Sequence, residues 1–113
     1  MTAKKNHKEV EALKDTDYAT VILSDAIQKL AESGDAQTFL LTLRKLTKAQ
    51  GGMTALSKRI GINRQNLYRT FASTGNPKFR SLGAILKGLG YKLAIAPVSA
   101  EEAAAANQNS EAA

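Results

Sequence analysis

Five polar side chains crowd one short stretch of the chain: Arg64, Gln65, Asn66, Tyr68 and Arg69, within the run Asn-Arg-Gln-Asn-Leu-Tyr-Arg-Thr-Phe over 63–71. Together they offer hydrogen-bond donors and acceptors and no carboxylate. Arginine pairs bidentately with guanine, and glutamine or asparagine with adenine, on the edges of base pairs in the major groove. An ordinary solvated helix face mixes Glu and Asp among its Lys and Arg. This one does not, and the pattern favours reading of nucleic acid over mere solvation. Catalysis is a poor fit. A general base or nucleophile needs positioned partners, yet the chain has no Cys, a single His, and no Asp or Glu from Ala36 to Ala100. His7 sits in a charged stretch with no Cys, His or paired carboxylate at ligand spacing. The Gly-x-x-x-x-Gly-Lys-Ser/Thr pattern of nucleotide enzymes is absent. No catalytic residue, metal or cofactor is expected, and the chain reads as a non-enzyme.

Positioning these side chains requires two helices and a tight turn, over Met53 to Phe71. Leu56 and Ile60 lie four apart on one face of the first helix, Thr54 to Ile60. Ser57 is small where the second helix must approach. Gly61 then occupies the position that ends a helix in the left-handed conformation. Asn63 is an N-cap whose side-chain oxygen can accept from the free first-turn amides. Ile62 and Leu67 bracket that cap at the spacing of a hydrophobic staple. The second helix buries Leu67 and Phe71 and turns the five polar residues outward. The spacing predicts a helix-turn-helix.

The charge distribution points the same way. The 113 residues carry a formal net charge of +6, but all ten acids lie in residues 1–35 or 101–111. Residues 36–100 hold eleven cations: Arg44, Lys45, Lys48, Lys58, Arg59, Arg64, Arg69, Lys78, Arg80, Lys87 and Lys92. Such a segment repels itself unless an anion binds, and a phosphate backbone is the matching partner. No apolar run reaches membrane-spanning length and no signal-peptide core follows the N-terminus. The expectation is a cytoplasmic protein with no membrane association.

The length suits one domain. Residues 1–14 read as a mobile or partly helical charged arm, 15–97 as the DNA-binding domain, and 98–113 as a disordered Ala/Glu-rich tail without a large apolar residue. Asp15 or Thr16 can cap a helix to about Ser33, with Tyr18, Val21, Ile22, Ala26, Ile27 and Leu30 at helical spacing. Residues 20–23 are also compatible with a short strand. Asp35 caps the next helix, whose stripe is Phe39, Leu40, Leu43, Leu46 and Thr47. Arg44, Lys45 and Lys48 near its end either complement the helix dipole or flank bound DNA. Gly51-Gly52 breaks it. After Phe71, Gly75, Asn76 and Pro77 make a loop. Thr74, Asn76, Lys78 and Arg80 there offer contacts to a sugar-phosphate backbone, against the plainer reading of a polar turn. The last helix, Phe79 to Leu89, has the core stripe Phe79, Leu82, Ile85, Leu86 and Leu89. Gly83 and Gly88 weaken it and suggest close packing. Tyr91 to Ala96 alternates at period two before Pro97. The expectation is one short strand, with Tyr91, Leu93 and Ile95 pairing across a two-fold dimer or with residues 20–23.

The order Gly-Gly-Met-Thr-Ala-Leu-Ser-Lys-Arg-Ile-Gly-Ile-Asn-Arg-Gln-Asn-Leu-Tyr-Arg-Thr-Phe, then Gly-Asn-Pro-Lys-Phe, then a leucine-rich helix ending Leu-Gly-Tyr-Lys-Leu, resembles the probable addiction-module antidote proteins. The resemblance covers about Asp15 to Ala96. It implies a mostly α fold: a five-helix, phage-repressor-like helix-turn-helix domain plus the C-terminal strand. It also implies an antitoxin that represses its own operon on double-stranded DNA and masks a RelE/ParE-type toxin; the homodimer follows from the lone strand and from the usual need of such DNA readers for two half-sites. Arg64, Gln65, Asn66 and Arg69 fall on base-reading positions, joined by Tyr68 as an outward residue. Thr54 falls on the phosphate-contacting start of the preceding helix, and Lys58 is assigned to the same role. The family usually has Ala where this chain has Ser57. A solitary prophage-type regulator without a toxin is the alternative.

Overall fold

The computed structural model describes residues 2–72 and 77–100. Among these residues are six α-helices and no β-strand: α1 (Thr2–Ala12), α2 (Thr16–Ser33), α3 (Ala36–Ala49), α4 (Met53–Ile60), α5 (Arg64–Ala72) and α6 (Phe79–Gly88). The expected five helices and a strand are thus corrected to an all-helical fold.

The fold is assembled on α3. Its apolar residues recur three and four apart, and Phe39, Leu40, Leu43 and Leu46 are at most 2% exposed. Each such side chain contributes about 1.5–3 kcal/mol by leaving water. Helices α1, α2, α4 and α5 all pack against this one rod. Thr47 completes the stripe as a buried polar residue, and its hydroxyl donates to the Leu43 carbonyl at 2.7 Å, leaving no cost from an unpaired group. Asp35 caps α3 by accepting from the Thr38 amide at 3.1 Å. Hydrogen bonds from the Thr38 hydroxyl and amide hold the Asp35 carboxyl below its usual range.

Helix α2 starts where Asp15 accepts from the amides of Asp17 and Tyr18, and it stops at Gly34. Residues 20–23 are helical, because both ends of the segment are capped and its small residues seat it on α3. The buried line is Ala19, Leu23 and Ala26, with Ile22, Ile27 and Leu30 packed beside it. Tyr18 and Val21, expected to face inward, are 47% and 65% exposed. The helix is rotated so that two alanines allow close approach to α3, which pushes the bulkier pair to the outside. The N-terminal stretch read as a charged arm forms α1. Its Val10 and the following Leu13 are buried, and Lys45 of α3 donates to the Glu9 carboxylate.

Helix α6 buries Leu82, Ile85 and Leu86, followed by Leu89, but Phe79 is 76% exposed. Phe79 is the first residue of α6, one turn short of the place where the helix meets its neighbours, so its assignment to the core is corrected. The expected strand at Tyr91, Leu93 and Ile95 is absent as well; residues 91–99 hold no regular secondary structure. A strand needs a partner edge, and the intrachain candidate, 20–23, belongs to α2. Instead Gly90 takes φ +93°, its amide donates to Lys87 O at 3.0 Å, and the Tyr91 amide donates to Leu86 O at 2.8 Å. This bond pair is the Schellman end of α6. Tyr91 is half-buried, with its hydroxyl 3.0 Å from the Thr20 Oγ1 of α2, whereas Ile95 is fully exposed.

The two glycines of α6 have opposite roles. A Cβ at Gly88 would lie 2.4 Å from Ile60 Cγ2 and 2.7 Å from Leu56 Cδ1, whereas one at Gly83 would meet nothing within 4 Å. Gly88 lets α4 and α6 touch, and Gly83 has no such duty. Gly88→Ala is expected to destabilise by about 1–3 kcal/mol through overpacking. Gly83→Ala should stabilise by up to about 1 kcal/mol through helix propensity. Chemical denaturation of the two variants checks this, and the same sign for both would refute it.

Candidate nucleic-acid interface

The turn between α4 and α5 is built from local bonds. Gly61 takes φ +70°, ψ +22°, a left-handed conformation that penalises any side chain, and its amide donates to Ser57 O at 2.9 Å. The Asn63 side-chain oxygen accepts from the Asn66 amide at 3.0 Å, and its carbonyl accepts from Leu67 at 3.1 Å. The Ser57 hydroxyl donates to Ile62 O at 2.6 Å. Its smallness was the sequence signal, but the hydroxyl also bonds the turn to α4, which alanine cannot do. Ile62 packs against the core cluster that contains Leu67, in keeping with the staple spacing.

Burial of Leu67 and Phe71, 1% and 5% exposed, sets the rotation of α5. With 3.6 residues per turn, Gln65 and Arg69 then lie within about 40° of the direction facing away from the core. Arg64, Gln65, Asn66, Tyr68 and Arg69 are all exposed. Arg64 and Tyr68 occupy one flank, where the Arg64 guanidinium stands 5.9 Å from the Tyr68 ring centroid. An exposed set of this kind suits a groove and suits water equally well; its composition is the distinguishing feature. Tyr68 also lines a depression of about 340 Å³ with Arg44, Thr47 and Lys48 of α3 and with Gly52 and Met53 where α4 begins.

The described residues assigned to phosphate lie on α4 and at the start of α6. Thr54 is exposed in the first turn of α4, and Lys58 is exposed further along it. Lys78 and Arg80 are exposed at the start of α6, and the Lys78 side chain makes no capping bond. Thr74 and Asn76 lie outside the described residues.

Two of the eleven cations serve the fold itself. Lys45 is half-buried against Glu9. Arg59 donates to Gln50 O at 2.8 Å, to Gln50 Oε1 at 3.3 Å and to Gly88 O at 3.3 Å. Gln50 in turn donates to Leu89 O at 2.9 Å, so the ends of α3, α4 and α6 are tied together. Nothing in the local sequence distinguishes these two from the exposed cations, since their partners lie nine to thirty-six residues away.

Among the described residues no group of three or more His, Cys, Asp or Glu is placed to hold a metal ion, and no helix is long and apolar enough to cross a membrane. The profile of a family described as "Probable addiction module antidote protein" matches residues 6–97. An uncharacterized protein of Haemophilus influenzae is 26% identical over 90 residues, spanning 75% of this chain and 92% of that protein. No solved structure matches the chain. The matched span begins within α1 and ends beyond α6, taking in both helices of the turn and the hub they pack on, and the chain belongs to the family of probable addiction module antidote proteins.

Proposed function

We propose that this antidote binds the operator of its own operon, lays α5 in the major groove, and neutralises the toxin of its module. The observation that carries the DNA reading is the acid-free outward face of α5, with Gln65 and Arg69 at its centre. A helix in the major groove reaches base edges with its outermost side chains, and amide and guanidinium groups are the ones with a bidentate fit to adenine and guanine. Thr54 and Lys58 on α4, and Lys78 and Arg80 at the start of α6, offer groups suited to phosphate; Thr74 and Asn76 belong to the same set. Two copies on one operator match the usual need for two half-sites. Membership of an antidote family favours the toxin-paired protein over the solitary prophage-type regulator. It also places the chain among binders and not enzymes. The RelE/ParE class of the toxin is what the family resemblance implies.

Binding to the protein's own promoter DNA in a gel shift should weaken steeply between low and physiological salt, because neutralised phosphates release counterions. Gln65→Ala and Arg69→Ala should each cost about 1–3 kcal/mol on the cognate site and blur base preference. Lys78→Ala should weaken all sequences alike. Identical behaviour of the two classes of variant in competition against scrambled DNA would refute the division of roles. Co-purification with the toxin of the same module tests the second activity, and a chain that leaves that toxin unbound and active would refute it.

A further inference from the structure

The depression between α3 and α5 has features that the reading of α5 does not use. Three cations lie on the C-terminal half of α3, and packing separates them. Lys45 turns to Glu9 on α1, while Arg44 and Lys48, one helical turn apart, stay exposed and line the depression. Among the described residues neither forms an ion pair, although the other cation on this stretch of α3 does. With no acid between residues 36 and 100, nothing nearby in sequence cancels their field. The third polar group of the depression that is free to bind is the Tyr68 hydroxyl, since the Thr47 hydroxyl already donates to Leu43 O. Gly52 and Met53, where α4 begins, complete the lining, and the cap at Gly52 makes no side-chain bond to the first-turn amides.

Position on α5 decides what Tyr68 can reach. Gln65 and Arg69 point straight out, toward the floor of a groove. Tyr68 lies on the flank that faces α3, and the walls of a groove are sugar and phosphate. Arg64 standing over its ring favours one orientation of the phenol.

We propose that this depression is a seat for a phosphodiester of the DNA backbone, in which Arg44 and Lys48 of α3 supply the charge and Tyr68 donates its hydroxyl. The proposal rests on the reading of α5 as the groove helix. It moves Tyr68 from the base-reading set to the backbone-contacting set, and it adds a helix outside the helix-turn-helix to the DNA footprint. Contact from three helices fixes the angle at which α5 enters the groove, which a single rod cannot do by itself.

The test is fluorescence anisotropy on a random-sequence duplex and on the protein's own promoter, over a series of salt concentrations. Each phosphate contact contributes about −0.9 to the slope of log K against log salt. The Arg44→Ala/Lys48→Ala double variant should lose roughly 1 from the magnitude of that slope, for the one phosphate of the seat, and weaken on both duplexes by the same factor. Lys45→Ala should keep the wild-type slope. Tyr68→Phe should weaken both duplexes equally, leaving their affinity ratio unchanged. An unchanged slope in the double variant, with wild type still binding, overturns the seat and spares the α5 reading. A changed affinity ratio in Tyr68→Phe returns that residue to the bases and overturns its role here. Wild type that binds neither duplex overturns both readings. Inorganic phosphate titrated against the DNA-free protein should give no saturable shift of the Arg44 and Lys48 NMR signals, because α5 must lie in the groove to bring the phosphate to them. A saturable shift would make the site one for a free anion and overturn the duplex seat.

Discussion

Four helices pack on α3, and most of what the protein presents to solvent follows from that. A rod with Phe39, Leu40, Leu43 and Leu46 buried can be covered on more than one side. The covering helices each bury fewer large side chains than α3 does: Val10 on α1, Leu23 on α2, Leu56 on α4, and Leu67 and Phe71 on α5. Burial of Leu67 and Phe71 in the same core sets the roll of α5 about its axis. Rotation of α5 by one residue, about 100°, would move Arg69 toward the flank and expose an apolar side chain. The polar face is therefore held in place by apolar contacts behind it.

Charge is divided by packing as well as by sequence. The described acids all lie on α1, on α2, or in the turns before α2 and α3, and the α4–α6 half has none. Cations are concentrated where acids are missing, but they do not all serve one end. Lys45 joins α1 to the hub, and Arg59 gathers the carbonyls at the ends of α3 and α6. The carbonyls that Arg59 holds lie at helix ends, where a cation is favoured by the unpaired oxygens. The other nine cations of residues 36–100 are exposed.

The α4–α6 contact and the Schellman end of α6 show how little slack the small fold contains. Gly88 lets two helices meet closer than any side chain permits. The chain then turns at Gly90 and inserts Tyr91 between α2 and the end of α6. Period-two alternation after Gly90 is a strand signal only if an edge is available. With α2 helical through residues 20–23, that edge does not exist among the described residues, and Leu93 and Ile95 face solvent.

What the sequence determined by itself is what neighbours along the chain decide: the caps at Asp15, Asp35 and Asn63, the stops at Gly34 and Gly61, the staple of Ile62 and Leu67, and the apolar stripe of α3. Each involves groups a few residues apart, whose geometry follows from the helix repeat. The outward five of α5 were legible for the same reason, because Leu67 and Phe71 fix the opposite face. Tertiary structure alone decided the roll of α2, where alanine and not tyrosine met the hub, and the exposure of Phe79. It also decided the packing of Val10 and Leu13 on the core, the loss of the strand, and the internal engagement of Lys45 and Arg59. These outcomes depend on which surface comes to lie across from a residue, and that is settled only when helices distant in sequence compete for the same apolar rod.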